Sequence, residues 1–198
     1  MQIKIKDNIK QFTKGLSKIQ KKQIPFATAQ AINSTLFGLK KEMAKQTVKK
    51  LDRPVGFTQR GFLIDKAKKT KQIGALRIRQ EVADYLKFQI VGGVRSGAKK
   101  IPVPITRNKR LNKFGNIAGK RTGLVKGKKE FIATIGGATG VWKQGRKGQQ
   151  PTLLIKFHDS VKYDKKPFDF YKIGKGYINN TYDRQFKKSL TKALRSAK

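Results

Sequence analysis

Eleven carboxylates are set against 48 lysines and arginines in this 198-residue chain, and the resulting formal charge of +37 constrains it more than any single motif. Lysine enrichment alone has a bland source, since an AT-rich genome inflates Lys, which outnumbers Arg 37 to 11. The same bias inflates Glu, yet only Glu42, Glu81 and Glu130 are present, so acids are specifically depleted. That depletion points to a polyanion partner. Lysine is a flexible point charge, whereas arginine presents the planar fork that reads guanine edges, so a lysine-dominated surface favours sequence-blind phosphate contact.

Enough apolar material remains to fold: 37% of residues are hydrophobic and 12 are Phe, which suits a single domain over 1–198. The absence of Cys removes disulfides, thiolate nucleophiles and Cys-based zinc sites, and His158 alone cannot assemble a His-rich metal site. No apolar segment follows the basic start, and no run of roughly 18 apolar residues occurs, so a protein made and used in soluble form is expected.

Along the chain, Gln2 to Lys6 reads as a short strand. Asp7 to Lys22 reads as a helix with Ile9, Phe12, Leu16 and Ile19 on one face and Lys10, Lys14, Lys18 and Lys21 opposite. A second helix is expected to start at Gln23-Ile24-Pro25, with Pro25 in its first turn, and to run to about Lys50. Phe26, Ile32, Leu36, Leu39 and Met43 form its apolar stripe. Ala27, Ala31, Ser34 and Gly38 form a flank of small side chains open to close backbone approach, and Lys40, Lys41, Lys45, Lys49 and Lys50 load its C-terminal half. Asp52-Arg53-Pro54 ends it.

Phe62 to Lys68 and Ile73 to Gln80 read as a hairpin, followed by a short amphipathic turn over 82–88 that the glycines at 92 and 93 close. Ile101 to Ile105, with Pro102 and Pro104, fits only an edge strand or extended segment. Thr106 to Lys129 contains no acid and repeats glycine at 115, 119, 123 and 127, so it reads as a long mobile basic arm. Its Arg107, Lys109, Arg110, Lys113, Lys120, Arg121, Lys126, Lys128 and Lys129 are the candidate DNA contacts. It lacks the P-loop pattern. Phe131 to Ile135, Val141 to Lys143 and Thr152 to His158 complete a small antiparallel sheet, and a last helix spans about Phe168 to Ala197, with Gly174 and Gly176 marking a place to begin or bend. The expected class is α+β: two N-terminal helices and a long C-terminal helix packed on a small antiparallel sheet, with a long basic Gly-rich loop.

Catalytic material is sparse. His158 and Asp159 are adjacent, and neighbours on a strand point to opposite faces, so they do not form a natural pair. The remaining carboxylates are scattered, without the spacing of a two-metal nuclease. Trp142, near Lys143, Arg146 and Lys147, has two readings: a core residue, or a stacking platform for a nucleobase. No catalytic residue, metal or cofactor is assigned.

Three segments together resemble the minor tail protein Z family of tailed bacteriophages: Lys22-Gln-Ile-Pro-Phe-Ala-Thr-Ala-Gln-Ala-Ile-Asn-Ser-Thr35, Asp52-Arg-Pro-Val-Gly-Phe-Thr-Gln-Arg-Gly-Phe62 and Pro167-Phe-Asp-Phe-Tyr171. Pro25, Phe26, Asp52, Arg53, Pro54, Phe57, Phe168, Asp169, Phe170 and Tyr171 carry the likeness, while Arg95 to Gln150 aligns with no family motif. The resemblance implies a non-enzymatic tail-completion protein of the virion neck, in host cytoplasm during assembly. It would form a homo-oligomeric, six-fold ring around the DNA channel and touch tail terminator or tail tube proteins, head-tail connector proteins and double-stranded phage DNA. No membrane and no small-molecule substrate are implied. Two alternatives remain open: a free non-specific nucleic-acid binder of ribosomal or nucleoid type, and another neck component such as a tail terminator or head-tail adaptor.

Overall fold

Alternation of Ile3 and Ile5 with Gln2, Lys4 and Lys6 lets β1 (Gln2–Lys6) bury one face and wet the other, the pattern of a strand covered on one side only. The computed structural model describes residues 1–6, 18–105, 111–117 and 129–196, and the helix expected over 7–22 lies outside them for its first eleven residues. The described residues form an α+β fold with antiparallel sheets, and they divide into two compact units, a finer division than the single domain expected over 1–198.

The first unit comprises Met1–Ile90 and Pro167–Lys198. Its elements are β1, α1 (Lys18–Lys50), α2 (Gly56–Gln59), β2 (Phe62–Asp65), β3 (Ile73–Ile78), α3 (Gln80–Ile90) and α4 (Phe170–Arg195). The hairpin read from the sequence forms, with Phe62 opposite Ile78 and Ile64 opposite Leu76. β1 then pairs with the other side of β3, setting Ile3 opposite Leu76, so the sheet order is β1-β3-β2. Gly74 on β3 is the point of closest approach: a Cβ there would run into Ile32 and Leu36 of α1.

α1 differs from its expected form at both the start and the face. It is already helical at Lys18 and passes through Pro25, rather than starting at Gln23. Proline inside a helix removes the hydrogen bond to the carbonyl four residues back and costs about 3 kcal/mol, so burial of Ile24, Ala27, Thr28 and Ala31 must outweigh it. Thr28 Oγ1 also donates to the Ile24 carbonyl at 2.8 Å. Phe26, expected in the apolar stripe, is 47% exposed, whereas Ile32, Leu36, Leu39 and Met43 are buried.

α1 and α4 pack together as an antiparallel pair: Gly38 faces the Tyr177 hydroxyl and Met43 faces Gly174, so the numbering rises on one helix as it falls on the other. Gly38 thus makes room for the Tyr177 side chain rather than for the close backbone approach expected of the small flank. α4 does not begin at Gly174, which lies buried against Ile3, where a side chain would collide. α4 starts earlier, because Asp169 caps it by accepting the Lys172 N–H at 2.9 Å.

The second unit, Val91–Lys166, holds β4 (Gly93–Pro104), β5 (Glu130–Ile135), β6 (Ala138–Lys143) and β7 (Thr152–Tyr163) in the order β4-β7-β6-β5. The strands therefore lie in two sheets rather than the single sheet expected. Gly92 and Gly93, with φ of 74° and 108°, turn the chain after α3, a conformation that side-chain-bearing residues rarely adopt. The Pro102 and Pro104 segment is an edge strand, as expected, and its pairing with β7 slips between Ser96 and Ile101. β7 runs past His158 to Tyr163, because Ser160 to Tyr163 pair with Gly93 to Ser96.

Candidate nucleic-acid interface

Seven of the nine basic residues expected to contact DNA (Arg107, Lys109, Arg110, Lys120, Arg121, Lys126 and Lys128) lie outside the described residues. Lys113 belongs to a closed turn within the basic segment. Leu111 bridges Ile117, and Asn112 Oδ1 accepts the N–H groups of Phe114 at 2.9 Å and Asn116 at 3.1 Å. Lys113 Nζ stands 5.2 Å from the Phe114 ring centroid. Lys129 sits at the mouth of the β5–β6 hairpin, where its carbonyl accepts the Gln144 N–H at 2.8 Å.

The residues carrying the family likeness separate into buried and exposed groups, all within the first unit. Phe168 and Phe170 are fully buried, with ring centroids 6.3 Å and 6.4 Å from Phe62, and Phe170 lies nearly parallel to it. Exposed Tyr171 meets Phe170 edge-on at 5.4 Å. Asp52 and Arg53 form an exposed two-point pair, both hydrogen bonds 3.0 Å long. The Arg53 hydrogen bond holds the Asp52 carboxyl below its ordinary range, and the same bond raises the Arg53 guanidinium. Arg53 adopts left-handed backbone, φ 45°, alone among the described non-glycine residues. The Pro54 carbonyl accepts from Gln59 Nε2 at 3.0 Å, which braces the turn into α2. Phe57 stays exposed beneath the Arg79 guanidinium, 5.9 Å from its ring centroid.

Sequence reasoning did not single out Asn33. Its side-chain amide receives the Ala67 N–H at 2.8 Å and donates to the Ala67 carbonyl at 3.0 Å, tying the β2–β3 connection to α1 as a neighbouring strand would. A single amide among mixed apolar and polar neighbours on a helix carries no distinguishing pattern in one sequence. Another feature shows only on the folded surface. Phe26, Phe37 and Val48, each eleven residues apart, share one exposed line of α1, because eleven residues make three helical turns. Lys66 Nζ lies 5.4 Å over the Phe37 ring.

The residues considered for chemistry do not come together. Asp159 Oδ1 lies 3.5 Å from Lys100 Nζ, and His158 faces Ile101 in the β4–β7 register. Trp142 is buried, and its indole N–H donates to the Ala133 carbonyl at 3.0 Å, which takes the core reading and leaves no free stacking face. Among the described residues no three His, Asp or Glu side chains gather as a metal site, and no helix is long and apolar enough to cross a membrane.

Charge does gather. Lys41, Lys45 and Lys49 form an exposed row on α1, and the turn between β2 and β3 adds Lys68, Lys69 and Lys71. The outer face of α4 carries Arg184, Lys187, Lys188, Lys192 and Arg195, all exposed, and four of them line a shallow hollow with Thr191 and Ser196. The α4 face, which no acidic side chain interrupts between Arg184 and Arg195 as Glu42 interrupts the α1 row, is of the kind that binds polyanions through counterion release and needs no base-specific contact. Compared with known proteins, the chain matches no protein-family model, no curated protein and no solved structure.

Proposed function

We propose that this chain is a structural virion protein of the head-tail junction of a tailed bacteriophage. In this reading it completes the head-proximal end of the tail as a homo-oligomeric ring around the DNA channel and touches DNA without regard to sequence. It works without catalysis, metal or cofactor, and its neighbours are tail terminator or tail tube proteins and the head-tail connector.

The observation that carries the reading is where the resembling segments lie. The Lys22–Thr35 segment is on α1, the Asp52–Phe62 segment ends in Phe62, and the Pro167–Tyr171 segment supplies the two rings packed on Phe62. Ile32, Phe62, Phe168 and Phe170 belong to one buried cluster. Three pieces far apart in sequence thus contribute to one core, as the segments of a single tail-completion-like domain would. The Arg95–Gln150 stretch, which has no counterpart in the likeness, falls entirely within the second unit.

Removal of this chain from such a phage is expected to leave filled heads and finished tails unjoined. Joined, infectious particles made without it would overturn the assignment. The uniformly basic face of α4 also fits a free nucleic-acid binder, and recovery of the chain from infected cells but never from particles would favour that second reading.

A further inference from the structure

We propose that the outer face of the C-terminal half of α4 is a DNA-backbone tracking surface, formed by Arg184, Lys187, Lys188, Lys192 and Arg195. This inference rests on the DNA contact included in the function proposed above. Between Arg184 and Arg195 the helix carries these five cations and no carboxylate. All five side chains are exposed, and none has an ion-pair partner among the described residues. Buried Ser189 and Ala193 fix which side of the helix faces inward, so the cations share the solvent side.

Helix-dipole compensation explains only part of the pattern. It acts within the last turn and so covers Lys192 and Arg195. Arg184, Lys187 and Lys188 lie further back, where a charged side chain gains little from the dipole. An acidic protein partner fits less well than DNA, because protein interfaces are built around desolvated apolar anchors and are depleted in lysine. Leu194, 42% exposed, is the one large apolar side chain exposed between Arg184 and Arg195. The lysine row of α1 differs: exposed Val48 and half-buried Glu42 interrupt it.

The dimensions suit a duplex. Eleven residue steps at about 1.5 Å each give a charged stripe roughly 16 Å long. Duplex DNA presents a phosphate about every 1.7 Å of its axis, so a matching length offers roughly ten phosphates to five cations. A packed helix holds those cations in fixed positions before DNA arrives, which lowers the ordering cost relative to a loop.

The test uses the full-length protein and two 30-base-pair duplexes of unrelated sequence, with affinity measured across a salt series. The variant Lys187→Gln/Lys188→Gln/Lys192→Gln/Arg195→Gln is compared with Lys41→Gln/Lys45→Gln/Lys49→Gln/Lys69→Gln, which removes the same charge from exposed positions elsewhere in the first unit. Circular dichroism checks that both stay folded. The α4 variant is expected to lower the log–log salt slope by about 3.6, near 0.9 per lost contact, equally for both duplexes. The control variant should lower it by less than about 1. Equal losses in the two variants, or no loss in either while the parent binds, overturn the α4 surface and leave the DNA contact standing. Displacement of the duplex by polyglutamate of equal charge as readily as by unlabelled DNA also overturns it. A parent protein that binds neither duplex overturns the surface together with the DNA contact in the function proposed above.

Discussion

The two units of this chain are held by different means. In the first, α1 and α4 cover a three-stranded sheet, and Ile32, Leu36, Leu39, Met43, Phe62, Leu76, Phe168 and Phe170 share one continuous buried cluster. In the second, four strands bury Val141, Trp142, Leu154 and Ile155 among the described residues, with Ile117 and Phe157 partly covered beside them. Ile132 and Val94 remain 58% and 56% exposed there. The second unit therefore depends more on strand pairing and less on burial.

Its two edges also differ. β4 carries Pro102, Pro104 and several cations, devices that discourage further pairing, whereas β5 has neither proline nor lysine. The second unit thus has the smaller core and, among the described residues, one edge without such devices, and the Arg95–Gln150 segment lies in it. The residues that carry the likeness lie instead in the unit with the larger core.

The largest effect expected is from Phe62→Ala. It removes a fully buried ring packed on two others and should cost about 3 to 5 kcal/mol in chemical denaturation. Ile155→Ala in the second unit should cost about 2 to 3 kcal/mol, because fewer buried neighbours are stranded around the cavity. Hydrogen exchange sharpens the contrast: Ile155→Ala is expected to speed amide exchange over 91–166 and leave α1 and α4 protected. Uniform acceleration across the chain would show that the two units unfold as one.

Asn33→Ala should cost about 1 to 3 kcal/mol by leaving the Ala67 N–H and carbonyl without their side-chain partner. Exchange at Ala67 should rise more than exchange elsewhere on the sheet. The smallest effect is expected at Asp52. Its depressed pKa means that any stability the Arg53 pair gives is present above the ordinary carboxylate range and lost as pH falls through the depressed value. Both side chains are more than half exposed, at 79% and 54%, so solvent screens the pair. Asp52→Asn should leave Tm unchanged between pH 7 and 3, and a pH-dependent loss would show the pair to be coupled to the core.

Local pattern made much of the first unit readable. The short strand at Gln2 to Lys6 and the Phe62–Ile78 hairpin took their expected roles there, as did the edge-strand prolines of the second unit, because each is set by neighbours in sequence. The features that escaped depend on distant residues. Pro25 stays inside α1 because buried Ile24 and Ala27 outweigh its missing hydrogen bond, and Gly174 packs on Ile3 within α4 rather than starting it. The division into two sheets follows from which strands pair, and single-strand periodicity says nothing of partners. At the candidate interface, the acid-free run ending in Arg195 was visible in the sequence. Helical spacing already sets Ala193 on a different side from Arg184, Lys187, Lys188 and Lys192, and the structure adds that Ala193 is buried and these cations are exposed.

Imaging of purified phage particles, at a resolution that traces side chains, tests the central claim most directly. The proposal predicts a ring of this chain between head and tail, surrounding the DNA channel. Complete, infectious particles whose neck is fully traced without this chain would contradict it.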